Sequence, residues 1–500
     1  MCAWRTVKTV AVSSLLLSGL ANAGSKTHQD ADLSEFLNNF HQNPAEVMEQ
    51  LPVKDIPAQV NMPFQNANSA VQAKDETRQQ MIQLAGRAGI RSSDLTENLV
   101  DAGVKHIKTL ATMDKKGLQS AKLSVSPWSD DYWAIAKGVL GARYEDPNNK
   151  KSFDWSANQD YVLENPVTTY LAEGLQDFLS PSEKYDLLVG DKDFSLTKAM
   201  WAEGKPYYDQ YGKVETWMGI CHGWAPAAYM LDRPEKAIKV KAADGETELT
   251  FFPSDIKALG SLLWAKASTP SKFVGGRCND KDPERDQESG RIISEKCFDT
   301  NPGTWHKSVV NQIGVSDRSF VMDATFDYEV WNQPVYEYSY KYFNVESFDT
   351  SESYEEAQIK IEDYKKDKFK KYRSEKAKFI VGVEMTVGYI AETQPNHRTF
   401  DNADYDYVSR VTYRYDLELD EKGSIIGGEW YSNKHPDFLW TPPKGTRAES
   451  WVETQYPQYI TDYDANGVVS EQLKYVAPYA SKSGQPLAEV LEGLIEKTKE

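Results

Sequence analysis

The sequence predicts an α+β fold divided among several domains. At 500 residues the chain is longer than one hydrophobic core usually fills. Apolar residues recur at helical spacing in Ala70–Leu84 and Asp94–Leu110. Near the other end Val411, Tyr413, Tyr415, Leu417 and Leu419 alternate with Thr412, Arg414, Asp416 and Glu418, the period of a half-buried strand. Composition is globular, with 40% hydrophobic and 26% charged residues.

Residues 1–23 have the three parts of a secretory signal peptide. Arg5 and Lys8 are basic, Val10–Leu20 is a short apolar run, and Ala21-Asn22-Ala23 fits the cleavage rule. Residues 24–120 read as a helical N-terminal region, a possible pro-segment, with Ser93 and Asp94 as candidate caps. Residues 121–345 are mixed. The region opens on the aromatic cluster Pro127–Trp133. Asp244-Gly245 turns a hairpin between Ile238–Val240 and Leu249–Phe252, and Ser254 caps a helix over Asp255–Ala265. His306–Gln333 reads as two strands joined by a turn near Gly314–Arg318. Residues 346–500 read as a β-rich domain that closes with a short helix, Pro486–Lys497. The basic run Lys365–Arg373 reads as a solvated helix face or linker.

Loss of Arg5 and Lys8 leaves 55 of 57 basic residues against 75 acidic ones, a formal charge of −20. So acidic a chain is a poor partner for nucleic acid. Outside the leader no segment reaches the ~18 apolar residues of a membrane span. Export also sets the cysteine chemistry. Cys2 leaves with the leader, and Cys278 and Cys297 flank a polar loop and should pair in an oxidising compartment. Cys221 is then the thiol left over, either buried and inert or kept for reactivity.

Its segment, Gly219-Ile220-Cys221-His222-Gly223-Trp224-Ala225-Pro226-Ala227-Ala228, places a thiol before an apolar helix, with Pro226 in its first turn. A helix N-terminus favours the thiolate, so a lowered pKa is expected, and the Cys221 N–H can face an oxyanion. A papain-like arrangement also needs a base and a group that orients it. His306 and then Asp323 supply both in the order Cys, His, Asp. Side by side on antiparallel strands they would meet on one face, with Asp327 as the rival of Asp323. His222 adjoins the thiol but points elsewhere on a helix, and His435 reads as structural. Trp217 and Gln210 are the candidate side-chain donors to an oxyanion. Asp462–Val469 copies the first half of a calcium loop but carries Leu473 where a glutamate belongs. A hairpin turn on Asn466-Gly467 is the better reading.

The thiol segment, the Pro127–Trp133 cluster and Trp331-Asn332-Gln333-Pro334-Val335 together resemble the transglutaminase elicitor family of oomycetes and marine Vibrio, from about Leu123 through Trp440. The resemblance implies a secreted, calcium-dependent acyltransferase that joins protein glutamine to lysine or other primary amines. It implies a papain-like core over 121–345, with Cys221 as nucleophile and His306 and Asp323 as partners. A cysteine peptidase or amidase with the same triad is the alternative. An apolar channel lined by Trp128, Trp133 or Trp331 would favour amine over water.

Overall fold

The computed structural model describes residues 23–55, 94–150, 152–276, 282–294, 297, 299–324 and 331–500. The expected leader, the helix over Ala70–Leu84, Cys278 and Asp327 lie outside them. The strands are β1 (Val53–Asp55), β2 (Ser120–Lys122), β3 (Ile238–Lys241), β4 (Glu248–Phe251), β5 (Lys272–Gly275), β6 (Val321–Asp323), β7 (Asn332–Phe343), β8 (Thr350–Ser351), β9 (Ile359–Lys360), β10 (Phe379–Ala391), β11 (Tyr407–Leu419), β12 (Ile425–Trp430) and β13 (Phe438–Thr441). Among the described residues all but β3 and β4 form one antiparallel sheet. Its order is β1-β11-β10-β7-β6-β13-β5, with β12 beside β11, β2 and β8 beside β7, and β9 beside β10. The fold is thus a mixture of helix and sheet, as the sequence led one to expect.

The longer helices are α1 (Ala23–Gln42), α2 (Pro181–Val189), α3 (Ser195–Tyr211), α4 (Cys221–Met230), α5 (Pro253–Lys266), α6 (Pro302–Val309), α7 (Glu471–Lys482) and α8 (Ala488–Lys497). One core lies among α2, α3, α4, α5, α7 and α8, around Trp224, Leu259 and Leu491. A second fills the sheet side, where Trp305 and Val309 of α6 pack on Tyr413, Tyr415 and Leu417. In a third, Leu33, Leu37 and Phe40 of α1 meet Phe343, Phe369 and Tyr431, and Phe40 stacks on Tyr431 at 4.5 Å. No described helix is long and apolar enough to cross a membrane.

Several expectations held locally. The hairpin at Asp244-Gly245 joins β3 to β4, with Gly245 at φ +76°. The alternating segment is β11, and it pairs with β10 from Phe379↔Leu419 to Ala391↔Tyr407.

Others need correction. Asp94–Leu110 is not one helix. It holds a single turn at Thr96–Asn98, Gly103 takes a positive φ of +86°, and a short helix begins only at Leu110, capped by Thr109. Asp94 caps nothing there and accepts the Asn301 N–H instead. Helix α5 begins at Pro253. Asp255 reaches back to the Phe252 N–H at 2.8 Å, while the Ser254 hydroxyl accepts the Asn396 N–H. The start of His306–Gln333 was expected to be a strand. It is helix α6, because Pro302 starts the turn and Asn301 caps it. The boundary expected at 345/346 does not separate two cores, since β7 pairs with β10. Residues 451–500 are helical rather than β-rich, and α8 packs on α5. The Asn466-Gly467 turn leads into α7, with no hairpin strands on either side.

The basic run also departs from its reading. Arg373 is buried and forks onto Asp416, at 2.6 and 2.7 Å, and onto Asp367. The outer face of β11 is therefore dry at Asp416. Arg373→Met should remove the cation shared by these two buried carboxylates and strand their charges. The expected loss is about 3–5 kcal/mol in urea unfolding. A loss below about 1 kcal/mol would mean that the pair is hydrated.

Candidate active site

Helix α4 starts at Cys221 itself, so Pro226 lies inside it rather than in an opening turn at Trp224. The Pro127–Trp133 cluster holds this start in place. Tyr132 accepts the Ile220 N–H through its carbonyl at 2.8 Å, and its hydroxyl donates to the Thr216 carbonyl. The Ile135 N–H donates to the Met218 carbonyl. Trp224 Nε1 donates to the Trp128 carbonyl, and the Trp128 N–H donates to the Ala228 carbonyl. Gly219 is required by close approach, since a Cβ there would stand 2.4 Å from the Tyr132 carbonyl oxygen. A Cβ on Gly223 would stand 2.2 Å from the Ser261 carbonyl oxygen of α5.

Three strand ends converge on the thiol. Asn332 opens β7, and its Nδ2 lies 3.7 Å from Cys221 Sγ. Trp440 Nε1 fixes the other side of that amide by donating to Asn332 Oδ1 at 2.9 Å. Across the β6–β7 register Asn332 faces Asp323, which is fully buried and accepts the Trp331 N–H. Just beyond β10, Glu392 accepts from Gln333 Nε2 at 2.6 Å. Cys221 is a buried free thiol. Burial pushes its pKa up to about 11. Hydrogen bonds from Asn332 oppose the rise, and the charges of Glu392 and Asp323 add to it. The lowered thiol pKa expected from the helix N-terminus is therefore corrected, because desolvation between two carboxylates outweighs the dipole. Glu392 is half-buried, and burial raises its own pKa to about 7.

His306 stands elsewhere. Its Nδ1 bonds the Tyr415 hydroxyl at 2.8 Å, and its ring packs against Tyr340 with centroids 4.7 Å apart. Tyr340 is eight residues beyond Asn332 on β7, about 26 Å along an extended strand. The ring is fully buried, and desolvation lowers its pKa to about 3. The structure brings Cys221 and Asp323 together and does not hydrogen-bond His306 to either. The reason is the helix: His306 rides on α6 and faces the sheet, not the partner strand of β6. The other described imidazoles do not replace it. His222 is half-buried on the α5 side, by Ala265, His397 stacks on Phe252, and His435 stacks on Trp430.

Of the oxyanion candidates, Gln210 is exposed on α3. Trp217 is buried, and its Nε1 has no hydrogen-bond partner. Trp128 and Trp133 are interior supports rather than channel walls, and Trp133 Nε1 donates to Asp130. Trp331 is half-buried and meets Tyr132 edge to face at 5.8 Å. Among the described residues no group of three or more His, Cys, Asp or Glu side chains could hold a metal ion. Asp464, the nearest candidate by sequence, spends Oδ1 on the Asn466 N–H.

The model of the transglutaminase elicitor family matches residues 103–459, a span that holds Cys221, Asn332 and Glu392. The chain belongs to the transglutaminase elicitor family. Its fold is similar to the crystal structure of the GP42 transglutaminase from Phytophthora sojae. That likeness has a TM-score of 0.45 and 20% identity, and it covers 80% of this chain and 98% of that one. No curated protein matches the chain.

Sequence reasoning missed Asn332, Gln333 and Glu392 as site residues. The first two lay in a motif used only to establish the likeness. Glu392 had no local signal, because only the β7–β10 pairing brings it near.

Proposed function

We propose that the chain is a secreted protein-glutamine γ-glutamyltransferase with Cys221 as nucleophile. The observation that carries the reading is a buried free thiol at the first residue of a helix, set against Asn332 and Asp323 inside the family-matched span. In the proposed cycle Cys221 Sγ attacks the glutamine carboxamide carbon and passes its proton to Asp323. The C–N bond breaks, and Asp323 returns that proton to the departing ammonia. A primary amine then displaces Sγ from the thioester. The Cys221 N–H and Trp217 Nε1 are the proposed oxyanion donors. This assigns to Asp323 the proton transfer expected of His306, whose Nδ1 is engaged by Tyr415. A papain-like core, with a helix-terminal thiol against antiparallel strands, belongs to the same proposal. So does a Cys278–Cys297 disulfide, the pairing an oxidising compartment favours for two cysteines flanking one polar loop.

Calcium dependence is proposed from the family likeness alone. The test is incorporation of a fluorescent primary amine into a glutamine-rich protein. Incorporation is expected, with loss in EGTA and recovery on adding calcium. Full activity in EGTA would remove calcium from the proposal. Proteolysis without incorporation would instead favour a cysteine peptidase.

A further inference from the structure

We propose that Glu392 forms the acceptor subsite of this chain, binding the lysine ammonium and taking its proton before attack on the thioester. The inference rests on the transferase reading above.

Glu392 follows β10 directly, beside the start of β7, where neighbouring Asn332 touches Sγ. Gln333 Nε2 holds Oε1 at 2.6 Å and so fixes the carboxyl in place. The charge of Glu392 reaches both Tyr132 and Cys221, so carboxyl and thiol lie in one neighbourhood. Trp331, half-buried and held edge to face by the interior Tyr132 ring, offers an apolar wall for the methylenes of a lysine arm.

Charge balance gives the second argument. Several carboxylates near Glu392 have cations of their own, whereas Asp186 and Asp146 are met by several N–H and hydroxyl donors instead. Glu183 pairs with Arg143, Asp255 with Lys184, and Asp401 with Lys257 and Arg233. Among the described residues Glu392 has none; its closest influences are Gln333 and the like charge of Asp131. A desolvated carboxyl without a counter-cation favours a cationic ligand. Unlike Asp323, Glu392 is only half-buried, so a substrate can reach it.

The ammonium gives one proton to the Glu392 carboxylate, and its nitrogen lone pair bonds the thioester carbon. The C–S bond breaks with its electrons going to Sγ, and the second amine proton restores the thiol. The proton on Glu392 returns to solvent. A raised carboxyl pKa shortens the proton's climb from ammonium to carboxylate.

The test compares Nα-acetyl-lysine methylamide, a cation, with hydroxylamine, neutral at pH 7.5, as acceptors on one glutamine donor. In Glu392→Gln the ratio of their kcat/KM values is expected to fall at least tenfold against the lysine derivative, chiefly through KM. Glu392→Asp should recover part of the ratio. In the wild type that ratio should climb up to about pH 7, where Glu392 ionises, and then level off; in Glu392→Gln, which must use free amine, it should keep rising through pH 8. If Glu392→Gln does not fold, Gln333→Ala, which releases the carboxyl, should lower the ratio at least threefold. An unchanged ratio, or equal loss with both acceptors, would overturn the proposal. A wild type that uses neither acceptor would overturn the transferase reading, and this subsite with it.

Discussion

Cys221→Ala is expected to abolish amine incorporation, by at least about 10³-fold, because the proposed thioester forms on this sulfur. Mass spectrometry of the wild type with a glutamine donor and no amine should find the acyl group on Cys221. Incorporation that survives the substitution would end the assignment. The thiol should also behave unlike one paired to an imidazolium. Its pKa is raised to about 11, so the thiol form dominates at neutral pH and the thiolate fraction grows as pH rises. Iodoacetamide should label the resting enzyme slowly at pH 7, with a rate that climbs through pH 9 and 10. A rate already level by pH 7 would mean a preformed thiolate and an undiscovered cation beside Sγ. In this reading activation occurs in the complex: as the substrate closes on Sγ, a carboxylate receives the proton during attack.

What could be read from the sequence was local. The period-two pattern of Val411–Leu419 located β11, and Asp244-Gly245 located the β3–β4 hairpin, because each signal sits within a few residues. The count of cysteines singled out Cys221, and the structure places it at the first residue of α4. What failed depended on pairing between distant segments. Asn332 and Glu392 are 60 residues apart in sequence, and only the antiparallel contact of β7 with β10 makes them neighbours. The strand reading of His306 failed for a different reason. Its β-branched neighbours have strand propensity, but a proline and an asparagine cap before them start a helix, and burial of Trp305 and Val309 holds it. Arg373 was misread because charge alone suggests water, whereas Asp367 of the same run and the distant Asp416 of β11 hold it inside.

The proton-transfer assignment is open to a direct contrast. Asp323→Asn keeps an oxygen for the Trp331 N–H, so the strand ends should stay in place while the base is lost. General acid–base catalysis contributes about 10²–10⁴-fold, and kcat should fall by that order with little change in melting temperature. His306→Asn should do the reverse. It removes a fully buried ring from its contact with Tyr340 and leaves the Tyr415 hydroxyl without its partner. A loss of about 2–4 kcal/mol in stability is expected, with kcat within a few-fold of wild type. The pH profile separates the two residues once more. With its pKa held near 3 by burial, His306 is neutral throughout the working range, so its titration cannot shape kcat between pH 6 and 9. If His306→Asn instead matched Asp323→Asn in kcat and spared stability, the imidazole would have to swing from Tyr415 to the thiol during turnover. The triad would then assemble only with substrate bound.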